Sequence, residues 1–113
     1  MKENIEQQWQ KVLDFFKAKF TDGETPDIDT ILFLIGIQEL GRIQPKFTKD
    51  EKVNLMHIAT CKLLEPYGYY EFSHYDDEAW PHYKRVKNLE TGTDQEQLMK
   101  EAIVNYFSSN NII

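Results

Sequence analysis

The chain has 113 residues and a formal net charge of -6, with 41% hydrophobic and 13% aromatic residues. That suffices for one domain burying roughly two thirds of the surface its unfolded form exposes, and is too little for two domains with separate cores. The acidic balance disfavours nucleic acid, and the longest apolar run, Ile31 to Ile37, falls far short of the roughly 20 residues needed to cross a bilayer. A start of Met-Lys-Glu-Asn-Ile without the apolar core of a signal peptide, and a lone cysteine, Cys61, that forms no internal disulfide, point to a cytoplasmic protein.

The first predicted element is an amphipathic helix from about Glu3 to Phe20. Ile5, Trp9, Val12, Leu13, Phe16 and Phe20 recur in it at three- and four-residue spacing. The turn-rich stretch Thr21 to Pro26 is a loop. From Asp27 to Gly41 a second helix is expected, opened by Pro26, capped by Asp27 or Asp29, and closed by Gly41, which tolerates the left-handed turn. Ile31, Leu32, Phe33, Leu34, Ile35, Ile37 and Leu40 leave it no polar face, which predicts a buried central helix covered by the others.

Thr48 and Glu51 form a capping box for a third helix running to about Glu65, ahead of Pro66. Val53, Met56, Thr60, Leu63 and Leu64 mark its expected inward stripe, with His57 in the middle and Cys61 at the edge. Leu55 and Ile58 then point the other way, towards the next segment or a second subunit in a homodimer. The aromatic stretches Tyr69 to Tyr75 and Trp80 to Lys87, separated by Asp76-Asp77-Glu78-Ala79, predict a β-hairpin. The competing reading is a short helix with Pro81 in its first turn. A last helix is expected with Thr93 and Glu96 as its capping box and Leu98, Met99, Ala102, Ile103, Tyr106 and Phe107 as its apolar face, ending in Ser108 to Asn111. The fold class is therefore mainly α: a four-helix single domain over residues 1–113, with a buried second helix and an aromatic β-hairpin between helices 3 and 4.

The run Ile31 to Gly41, the segment Met56-His57-Ile58-Ala59, and Gly68-Tyr69-Tyr70-Glu71-Phe72 with Trp80-Pro81-His82-Tyr83 resemble a family of small bacterial proteins of unassigned function. The resemblance covers most of the chain, implies no activity or cofactor, and supports a turn before Trp80.

Two sets of residues are candidates for function. Leu55, Ile58, Trp80, His82 and Tyr83 form a candidate binding surface, because exposed aromatic side chains beside charges supply most of the energy in recognition. Glu39, His57 and Cys61 form a candidate polar pocket between helices 2 and 3. A carboxylate near a helix C-terminus needs compensation, for which Arg42 is the nearest partner, and a His and a Cys four residues apart share one helix face. A closed zinc site would need further donors such as His74 and His82, so no metal site is assigned. Lys84-Arg85-Val86-Lys87 reads as a solvated strand face. No phosphate-cradling glycine loop, HExxH, GxSxG or CxxC motif is present. The sequence thus favours a small binding protein for a protein or small-ligand partner, without cofactor. A small enzyme or metal-binding protein using Glu39, His57 and Cys61 is the alternative.

Overall fold

The structure, a computed structural model, describes residues 4–41, 44 and 46–110. Its elements in chain order are α1 (Ile5–Lys19), α2 (Ile28–Leu40), α3 (Lys49–Leu64) with a 3₁₀ turn (Glu65–Tyr67), β1 (Tyr70–Tyr75), β2 (Pro81–Arg85) and α4 (Gln95–Ser109). The mainly helical fold with a hairpin between helices 3 and 4 is as the sequence predicts, and Pro81 begins a strand rather than a helix. Among the described residues no helix is long and apolar enough to cross a membrane. The chain packs as two compact units: α1 and α4 with the segments beside them form one, and Ile28–Thr91 form the other.

In the first unit, α1 starts on a capping box that sequence reading overlooked. The Asn4 side chain accepts the Gln7 amide and the Gln7 side chain accepts the Asn4 amide, satisfying two orphan donors of the first turn. Only Val12 and Phe16 of its predicted stripe are buried, and Phe20, beyond the last helical residue, is 57% exposed. Phe15 does more than predicted, packing at 5.7 Å against Phe107 of α4 beside the Phe16–Phe107 pair at 5.4 Å. Near its start, Trp9 meets Lys100 of α4. Both contacts lie in the same order along the two helices, so α1 and α4 run in the same direction. The cap of α4 is Asp94, one residue after the predicted Thr93: its carboxylate accepts the Gln97 amide. At its other end Asn110 donates to the Tyr106 carbonyl through its side chain, and the predicted terminator Asn111 lies outside the described residues.

In the second unit, α2 has no polar side between Ile31 and Ile37, and none of its apolar residues from Ile31 to Leu40 is exposed. Gly41 ends it at φ +78°, the left-handed conformation expected of it. α3 begins on the predicted Thr48–Glu51 capping box. Leu63 and Leu64 of its predicted inward stripe are buried, but in the first half of the helix the faces are the reverse of the prediction. Leu55 is 0% exposed and Ile58 5%, whereas Val53 is 59% exposed and His57 lies at the surface. The reason is Gly36: a Cβ there would sit 2.2 Å from the Leu55 carbonyl oxygen, so the missing side chain lets α2 approach the α3 backbone at Leu55. That approach buries Leu55 and Ile58 in a cluster with Phe47 and Trp80, edged by Phe33, Ile37, Leu40 and Tyr83. The outward pair, and a dimer surface built on it, therefore fall away.

Candidate functional site

The hairpin is irregular in a way that shapes its surface. Pairing runs Tyr70↔Arg85, Glu71↔Lys84, Phe72↔Tyr83 and then jumps to His74↔His82, leaving Ser73 as an extra residue in a bulge. Without the bulge Ser73 would oppose His82. With it, the His74 and His82 rings stack with centroids 4.9 Å apart and planes within 5°, and Ser73 Oγ lies 2.8 Å from His74 Nδ1.

The turn is held by Asp76. The Glu78 and Trp80 amides donate to its Oδ1 at 2.9 and 3.0 Å, and its Oδ2 lies 2.9 Å from His82 Nε2. A carboxylate only accepts, so Nε2 carries the proton. The His82 hydrogen bond first, and the Trp80 amide next, hold the Asp76 carboxyl below its ordinary value of 3.8. The turn places Ala79 at φ +67°, where a Cβ is unwelcome, while the Ala79 amide closes back on the Asp76 carbonyl at 2.9 Å.

This turn and the first half of α3 enclose a cleft of about 310 Å³. α3 supplies Glu51, Asn54, His57 and Ile58, the turn supplies Asp76, Glu78 and Trp80, and β2 supplies Pro81, His82 and Tyr83. Glu51 is fixed at its place because its carboxylate accepts the Thr48 amide at 2.8 Å. Trp80 is 9% exposed, so it is mainly an anchor that pins the hairpin to the α3 core, and the little of it that remains accessible borders the cleft. Burial first, and then the charges of Glu39 and Glu65, push the Tyr83 phenol far above its usual range. It acts there as a neutral hydroxyl.

The sequence-derived candidates divide as follows. Ile58, Trp80, His82 and Tyr83 come together with His57 at the cleft, while Leu55 lies wholly in the core. Of the proposed polar pocket, His57 and Cys61 do meet, with Nε2 and Sγ 3.5 Å apart, but Glu39 and Cys61 are absent from the cleft wall. Arg42, the expected partner of Glu39, lies outside the described residues. Burial pushes the Cys61 thiol up to about 11, against a smaller lowering by the Arg85 charge. At neutral pH it is protonated, which suits a packed hydrogen-bond donor and not a nucleophile. Among the described residues no group of three or more His, Cys, Asp and Glu side chains could hold a metal ion, so Glu39, His57 and Cys61 do not form such a set. Glu51 and Asn54 were missed because a capping residue and its neighbour one turn on carry no mark in the sequence that a turn 25 residues later will face them.

No family model, curated protein or solved structure matches the chain.

Proposed function

We propose that this chain is a binding protein whose cleft between α3 and the hairpin turn takes a small organic cation. The observation that carries the reading is the composition of the wall: Glu51, Asp76 and Glu78 line it, no Lys or Arg among the described residues does, and Trp80 and Tyr83 offer apolar surface beside them. An ammonium or guanidinium group is drawn to such carboxylates while its apolar part packs against the ring surface, and a volume of about 310 Å³ is that of a small-ligand pocket. The buried, unbridged Cys61 accords with the cytoplasmic placement inferred from the sequence.

Benzylamine is a suitable probe, with benzoate as its opposite in charge at similar shape. Titrating benzylamine into ¹⁵N-labelled protein at pH 7.5 is expected to shift the Asn54, Glu78 and His82 amides saturably. Removing one carboxylate by Glu78→Gln should weaken binding about fivefold, the equivalent of ~1 kcal/mol for unit charges at 4 Å in water. Equal effects of benzoate and benzylamine on those amides, or unchanged affinity in Glu78→Gln, would refute a cation site.

A further inference from the structure

At its open end, away from the turn, the same hairpin carries a second cleft of opposite character. It has a volume of about 280 Å³, and its charged wall residues are Arg85 and Lys87, with no acidic residue beside them among the described residues. Thr60, Asn88 and the tyrosines Tyr69 and Tyr70 provide hydroxyl and amide groups, over an apolar floor that includes Leu64. In a chain of net charge -6 this is a local reversal of sign.

Backbone bonds set the two cations in place. The Val86 amide donates to the Tyr69 carbonyl at 2.8 Å, and the Lys87 amide reaches the same oxygen at 3.4 Å, so the segment after β2 is tied across the start of β1. Lys87 Nζ then sits 4.5 Å from the Tyr69 ring centroid, and Arg85 Cζ 5.9 Å from that of Tyr70. The Arg85 guanidinium donates long bonds of 3.4 Å to Asn88 Oδ1 and to the Tyr70 hydroxyl, both of them neutral acceptors. Among the described residues neither cation has a carboxylate within ion-pair distance. Two like charges are thus held over aromatic faces, in a concavity, with their remaining donors directed to no anion among the described residues. An arriving anion relieves their repulsion, and the planar guanidinium fork suits a carboxylate or a phosphate.

We propose that this cleft binds a small aromatic anion, with its carboxylate or phosphate between Arg85 and Lys87 and its ring against Tyr69 and Tyr70. The site is independent of the acidic cleft, and neither depends on the other being occupied.

The test is an NMR titration of the ¹⁵N-labelled full chain with phenyl phosphate and, separately, benzoate, at low and at high salt. Saturable shifts of the Thr60, Lys87 and Asn88 amides are expected, weaker at high salt, with the tighter of the two probes identifying phosphate or carboxylate as the preferred head group. The double variant R85Q/K87Q should lose at least tenfold in affinity. Lys84→Gln, which removes an exposed cation of the same strand outside the cleft, should change it less than twofold. Should R85Q/K87Q not fold, Lys87→Gln alone serves, because Lys87 is exposed and follows the last strand residue; a several-fold loss is expected. Shifts that rise linearly with ligand and spread over all basic residues would overturn the site. So would wild-type affinity in R85Q/K87Q or in Lys87→Gln.

Discussion

The α2–α3 seam and the hairpin turn belong to the same compact unit and solve opposite problems. At the seam the backbones come so close that Gly36 leaves no room for a methyl group against Leu55, and the apolar side chains around it are withdrawn from water. At the turn the chain spends stability: Ala79 holds a left-handed conformation, Ser73 is bulged out of the ladder, and two imidazoles are stacked at the surface. Close packing tolerates no change of shape, whereas an irregular, half-solvated turn can present polar groups to a ligand. Trp80 joins the two, being an anchor of the core and an edge of the cleft.

The largest effect expected from breaking this contrast is at the seam. Gly→Ala inside a free helix gains about 1 kcal/mol, but at Gly36 the new Cβ would strike the Leu55 backbone, which cannot swing aside, so Gly36→Ala should cost about 3 kcal/mol net. Urea unfolding measures it; a midpoint at or above that of wild type would show that the helices are not in backbone contact there. At the turn the same class of change should have the opposite sign. Ala79→Gly removes the left-handed penalty at an exposed position and should stabilise by about 1 kcal/mol in the same assay. A loss of stability would mean that Ala79 does not occupy that conformation.

The smallest effect concerns Asp76. Its folded-state pKa lies below the unfolded value, so the folded state binds the proton less readily. Its contribution is fully present above the ordinary carboxylate value of 3.8 and is lost as pH falls through the lowered folded value. Asp76→Asn, which keeps the shape but not the charge, should melt below wild type at pH 6, and the two melting curves should converge as pH is lowered through the carboxylate range. A gap that stays constant with pH would assign the role of Asp76 to shape alone.

Four helices, the hairpin, the α3 capping box and the Gly41 stop were legible because each depends on residues within one or two turns of one another: periodicity, caps and breakers are local physics. Sequence also named much of the acidic cleft, since aromatic and histidine side chains clustered near an acidic turn stand out in any chain. What it could not reach was which side of the first half of α3 faces inward. Val53 and Met56 make as good a stripe as Leu55 and Ile58 when the helix is viewed alone, and the choice is made by a glycine on another helix that admits the α3 backbone at one level only. Likewise the sequence places His74 and His82 among aromatic residues without marking a bulge, and it is the bulge that sets His74 beside His82. Local sequence thus determined which elements this protein has and where they stop. Tertiary structure decided which faces they bury and which charges share a cleft, because those depend on close approach between residues far apart in the chain.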